Sequence, residues 1–260
     1  MDFTLWLVEF LLGLFVFIFG VCIGSFLNVI VYRVPHGISI AKGRSFCPNC
    51  HETLRNVDLI PIFSFLFLRG KCHNCKQKIS LRYPLVETFT GLIAVLCYLQ
   101  YGYSFKLVTA FAVAAILIAI SLIDLDTMTI PNGLLIAMIV PAAAAVFAFP
   151  ETGILSRLIG FFAVSLPLLL LTLCIRGSFG GGDIKLMAVG GFLLGWKNTI
   201  LAGFIGVLLG GIAAVILLVS RKKGRKEHMA FGPYLAVGIF AALLYGDQLI
   251  GWYLRLFGLV

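Results

Sequence analysis

The sequence predicts an all-α polytopic membrane protein of about eight transmembrane helices, with one small cytosolic insertion between the first and the second. Three observations carry this expectation. Hydrophobic residues fill 61% of the 260 positions and charged residues only 12%, about half the charged share of an ordinary soluble domain. Apolar runs near the ~20 residues that a membrane-crossing helix needs recur along the chain. The basic residues concentrate in alternate loops, as orientation by cytoplasmic Lys and Arg requires.

The first run, residues 5–32, is too long for a secretory signal and lacks a basic leading region, so it should stay as a membrane helix. The polar insertion occupies 33–82. Further runs lie at 84–101, 105–123, 132–149, 154–175, 184–197, 199–220 and 231–254. The run at 184–197 is short, and the count of eight rests on it. The chain thus divides into a first helix (1–32), an insertion (33–82) and a membrane-embedded helical domain (83–260).

Alternating the runs from an external N-terminus puts sixteen basic residues on one side, in 33–82, at Arg176 and Lys185, and in Arg221 to Lys226. Only Lys106, Arg157, Lys197 and Arg255 fall on the other. Both termini are therefore expected outside and the charged loops in the cytosol. The net charge of +9 follows from that topology and from anionic inner-leaflet lipid, so it calls for the bilayer as partner and for no nucleic acid.

Within the insertion, Cys47-Pro48-Asn49-Cys50 and Cys72-His73-Asn74-Cys75 are two CxxC pairs with 21 residues between them. A two-residue gap lets both thiolates of a pair point inward from a tight turn, and two such pairs complete a tetrahedral four-thiolate site. A closed site of this kind implies a structural Zn(II) rather than a catalytic one. His51 and His73 adjoin the pairs as alternative ligands, while Cys22, Cys97 and Cys174 lie in apolar runs and suit packing.

Acids are scarce, only 11 in the chain, and a carboxylate at membrane depth is costly enough to mark a functional site by default. Asp124 closes one apolar run and Asp183, preceded by Gly180, Gly181 and Gly182, opens another. The alternating topology puts both on the same bilayer face. Two neighbouring carboxylates share a proton, one acting as base on water and the other polarising a carbonyl. The glycines would let a substrate backbone approach. Each acid also has a plainer reading, Asp183 as a helix cap and Asp124 as an interfacial acid beside Asp126. HExxH and GxSxG are absent from the sequence. Helix-end fields, taken from each acid's own helix, favour Asp183 as the ionised partner.

Gly180 to Asp183 matches the GxGD motif of membrane aspartyl proteases, and with Ile123-Asp124 before Pro131 the chain resembles the bacterial type IV prepilin peptidases. Gly24-Ser25-Phe26-Leu27-Asn28, Arg33-Val34-Pro35, both CxxC pairs, Arg82-Tyr83-Pro84-Leu85-Val86-Glu87 and Phe231-Gly232-Pro233-Tyr234 follow that family's pattern in order. The resemblance implies cleavage of prepilins or pseudopilins, from pilus and secretion machines, after a glycine at the cytosolic membrane face. It assigns the catalytic acids to Asp124 and Asp183, with Asp126 a bystander. It also implies methylation of the new N-terminus with S-adenosylmethionine as donor.

No Gly-rich dinucleotide loop is present, and the insertion is too small for a doubly wound domain, so a donor site must be built from the insertion and adjacent helix ends. Candidates are Asn28, Arg33, Gly70, Lys71, Arg82 and Glu87, with Glu87 first as an acid inside a helix. Helix packing by Gly20 and Gly24 and interfacial anchoring by the arginines compete with those roles. The main competing function is a transporter that uses the acids as a proton or cation relay.

Overall fold

A computed structural model describes residues 3–175, 179–220 and 229–258. Arg176, the basic stretch Arg221 to Lys226, and His228 lie outside the described residues. The chain forms two compact units, Met1–Tyr103 and Ser104–Val260. Among the described residues all regular structure is helical, with two isolated β-bridges in the insertion.

Unit 1 holds α1 (Phe3–Arg33), a 3₁₀ turn (Asn56–Leu59), the short α2 (Phe63–Phe67) and α3 (Arg82–Tyr101). α1 and α3 pack along their lengths. The small-residue face expected on α1 makes this contact: a Cβ on Gly20 would lie 2.8 Å from Gly91 Cα, and one on Gly24 would lie 2.8 Å from Glu87 Cα. Without side chains at those positions the two backbones approach closely, the usual device for joining helices where no hydrophobic drive exists. α3 thus packs on α1 within unit 1, whereas the sequence boundary at residue 83 groups it with the helices that follow.

Unit 2 holds α4 (Phe105–Thr127), α5 (Asn132–Ala148), α6 (Ile154–Ala163), α7 (Ser165–Cys174), α8 (Gly181–Leu194), α9 (Trp196–Val219) and α10 (Gly232–Leu256). Ser104 caps α4 by accepting the Leu107 amide, and Met128, in the left-handed conformation, ends it. α6 and α7 form one apolar segment broken at Val164, because Pro167 has no amide to give the Ala163 carbonyl and its ring crowds that group.

Among the described residues six helical segments are long and apolar enough to cross a membrane: Trp6–Arg33, Arg82–Tyr101, Phe105–Thr127, Ile154–Cys174, Trp196–Val219 and Gly232–Leu256. All eight expected runs are helical, but α5 has 17 residues and α8 only 14. At 1.5 Å per residue α8 extends about 21 Å, short of the ~30 Å hydrocarbon core.

Burying a short helix exposes its terminal carbonyls to an apolar setting, where each needs a partner. Arg157 supplies it. This arginine is fully buried in α6, and Nη1 donates to the carbonyls of Phe192 (3.3 Å) and Leu193 (2.6 Å) at the end of α8. Nη2 donates to Ala145 and Phe149 at the end of α5, both at 2.8 Å, and Nε to Thr152 at 3.1 Å. A cation at two helix C-termini also opposes their partial negative charge. Arg157, counted above as a loop charge, is therefore an internal clamp.

Candidate active site and metal centre

Three helix ends of unit 2 bring the conspicuous acids into one constellation. Asp124 lies in the last turn of α4 and is 4% exposed, and Asp183 lies in the first turn of α8 and is 8% exposed. Asp183 Oδ2 accepts the amide of Gly180, the N-cap of its own helix, at 3.1 Å. Asp124 Oδ2 accepts the amide of Gly232, the first residue of α10, at 2.8 Å. Each carboxylate thus fixes one oxygen on a main-chain amide.

Ile130 ties the ends together. A Cβ on Gly182 would fall 2.7 Å from Ile130 Cβ, and one on Gly232 would fall 2.8 Å from Asp124 Oδ2 and 3.2 Å from Ile130 Cδ1. Glycine is required at both places because any side chain would displace Ile130 or the Asp124 carboxylate. The rings of Phe179 and Phe231, just ahead of α8 and α10, meet edge to face at 5.3 Å. Lys185 Nζ, one turn into the site's end of α8, donates to Asn132 Oδ1 at 2.9 Å. Asp126 is exposed.

The Gly232 amide revises the helix-end argument for the two acids. Asp124 ends α4 but also faces the positive end of α10, so both carboxylates receive a helix N-terminus. The asymmetry expected from each acid's own helix is offset. Gly232 stands out in the sequence only as part of Phe231-Gly232-Pro233-Tyr234, and its amide lies 108 residues from Asp124.

In unit 1 the four cysteines of the insertion converge, with Sγ atoms of Cys47, Cys50, Cys72 and Cys75 all within 4.8 Å of one another. Bonds of ~2.3 Å to a tetrahedral ion would set sulfurs ~3.8 Å apart, so the group suits a metal ion with a slight contraction. Neither His51 nor His73 belongs to it. The two pairs share one backbone design. Cys47 and Cys72 amides bond to the carbonyls of Glu52 and Gln77, and the residues four positions after each first cysteine, His51 and Lys76, both take φ of 57°. The bridges Phe46–Thr53 and Lys71–Lys78 close the two turns. The Gln77 amide, with Asn49 Nδ2 at 3.6 Å, lowers the Cys75 thiol to about 6, favouring the thiolate that binds metal.

Beside this group is a cavity of about 400 Å³. Three methyltransferase candidates line it, Asn28, Arg33 and Glu87, while Arg82, Gly70 and Lys71 do not. Gly70 has φ of 67° and packs under the ring of Phe65, which does line it. Arg33 is committed elsewhere, donating to the carbonyls of Ser39, Lys42, Gly43 and Arg44.

Two family models match the chain, the Bacterial Peptidase A24 N-terminal domain over residues 18–101 and the Type IV leader peptidase family over 111–215. The chain is 37% identical to the prepilin leader peptidase/N-methyltransferase of Bacillus subtilis (strain 168), covering 92% of this chain and 97% of that relative. Proteins of the same description from Aeromonas hydrophila (31%, covering 93% of each chain) and Neisseria gonorrhoeae (32%, covering 91% of this chain and 93% of the relative) are also similar. No solved structure matches the chain at a significant level. These relatives lend no support to a transporter or ion relay, and with matches over nearly the whole length the chain belongs to the type IV leader peptidase family.

Proposed function

We propose that this protein is a membrane aspartyl endopeptidase that removes the leader from prepilins or pseudopilins and then N-methylates the new N-terminus with S-adenosylmethionine. The observation that carries the peptidase half is the pair Asp124 and Asp183, buried at helix ends that meet around Ile130 and each pinned by one main-chain amide. With one oxygen fixed, the other oxygen of each carboxylate can address water or a carbonyl. One acid, unprotonated, takes the proton of the attacking water, while its protonated partner donates a hydrogen bond to the scissile carbonyl oxygen. Gly180 and Gly181 keep the approach to Asp183 free of side chains, and Gly182 leaves room for Ile130.

The four cysteines hold a structural zinc ion that staples the insertion, which has little apolar core of its own. The site faces the cytosol of a bacterial inner membrane, with both termini outside. The internal role of Arg157 sharpens the charge asymmetry behind that orientation, because it removes one of only four basic residues on the external side.

Incubating the purified protein with a prepilin and isotope-labelled S-adenosylmethionine tests both activities in one mass measurement. Mature pilin carrying one labelled methyl group is expected. Prepilin that stays uncut, with the protein folded and in a bilayer, would sink the peptidase reading.

A further inference from the structure

We propose that residues 59–68 dip into the membrane at the Arg82 end of α3, the cytosolic leaflet in the proposed orientation, with Phe63, Leu66 and Phe67 among the lipid chains. Leu59 to Leu68 is a run of ten residues without a charge inside an otherwise polar insertion. A run of that length is too short to span a bilayer and suits a re-entrant or interfacial segment.

Within this run α2 turns an apolar face outward. Phe63, Leu66 and Phe67 share one side of the helix and are 59%, 63% and 84% exposed, whereas Ser64, Phe65 and Leu68 turn inward to line the cavity. Leu59 and Ile60 are exposed as well. A contiguous apolar cluster of this kind marks a surface that something apolar covers.

Depth selects what covers it. α3 has 20 residues, about 30 Å at 1.5 Å each, which matches the hydrocarbon core and sets Arg82 near its boundary. Glu87 lies about 7.5 Å further in along the same helix, and its carboxylate accepts the Ile62 amide at 2.8 Å. The start of α2 is thereby tied to α3 at the depth where interfacial segments bury their apolar faces, ~5–10 Å. At that level the neighbour is lipid rather than a water-borne partner.

The backbone and the flanking charge both fit that neighbour. Main-chain donors in lipid need acceptors within the protein, and the amides of Phe63, Ser64, Leu66 and Leu68 bond to the carbonyls of Pro61, Ile60, Ile62 and Ser64. The first of these bonds closes a γ-turn at Ile62, with φ of 63° and ψ of −54°, which bends the chain sharply into α2. Immediately afterwards, residues 69–78 carry Arg69, Lys71, Lys76 and Lys78, all exposed, and no acid. Anionic headgroups attract such a stretch.

The test places the photoreactive amino acid p-benzoylphenylalanine, which inserts into neighbouring C–H bonds on illumination, at single positions of the full-length protein in cell membranes. At Phe67 and at Leu66 it should form lipid adducts, read as added mass on the peptide. The yield should be roughly that found at Phe89, exposed on α3, and on the order of tenfold above that at Asn74, exposed between Cys72 and Cys75. Thermal unfolding verifies that each substituted protein is folded. A yield at both positions no higher than at Asn74 would put 59–68 in water and overturn the proposal. Adducts made chiefly to another protein, or to a second copy of this chain, would overturn it too, because they would identify a different occupant.

Discussion

In unit 2 two of the buried ions sit at the ends of one short helix, Asp183 on the first turn of α8 and Arg157 against its last carbonyls. In unit 1 the buried ions, Arg33 and Glu87, belong to long membrane helices and find their partners in the insertion, at Ser39 to Arg44 and at Ile62. Helix termini solvate the first pair, and loops solvate the second. Fixed main-chain dipoles hold reacting groups with little reorganisation, so unit 2 suits chemistry on a scissile bond. Side chains bonded to a loop over a cavity suit capture of a small ligand.

The largest expected effect lies on the helix-end side. Asp183→Asn and Asp124→Asn keep a side-chain acceptor for the Gly180 and Gly232 amides but cannot trade a proton with water. Cleavage of a prepilin by purified variant should fall roughly 10³-fold, as removal of an essential acid or base implies. If either variant cuts at a tenth of the wild-type rate or faster, that acid does not perform the chemistry assigned to it.

Next comes the insertion. A four-thiolate site loses its closed shell when Cys47→Ser removes one ligand, and metal-binding energy of this kind is also folding energy. Zinc should drop from about one per chain to near none, with a lower unfolding temperature and a similar loss in wild-type protein treated with a strong chelator. Unchanged stability without metal would mean that the insertion holds its shape by side-chain packing, and the contrast between the units would lose its second half.

Much of this was legible because it is local. The CxxC spacing announces the metal group, and Asp183 three residues after Gly180 announces a first-turn acid that reaches back to its own cap. The contacts of Asp124 with Gly232 and of Glu87 with Ile62 span 108 and 25 residues, and no periodicity encodes them. Arg157 misled for a related reason. An arginine beside Gly153 at a loop edge reads as a topology signal, and only the tertiary arrangement reveals five carbonyl acceptors around it. The shortness of α8 was the available hint, since a helix that stops inside the bilayer needs a cation for its end.

Arg157→Met tests that link without touching either acid. The substitution conserves much of the volume but leaves the ends of α5 and α8 with unpaired carbonyls, at an expected cost of about 3 kcal/mol. Thermal unfolding in a fixed detergent should report it, and Arg157→Lys should recover part of the loss. An unchanged unfolding temperature for the methionine variant would refute the helix-end account of unit 2.

The smallest expected effect sharpens the choice between neighbouring acids. Asp126 stands two residues beyond Asp124 and is exposed, whereas Asp124 is 4% exposed and bonded to α10. On a helix a two-residue step turns the side chain by about 200°, onto nearly the opposite face. Asp126→Asn should therefore leave the cleavage rate within roughly a factor of two. If it instead matched the loss expected for Asp124→Asn, the acid facing the substrate would not be the one pinned by the Gly232 amide, and α10 would have no part in positioning it.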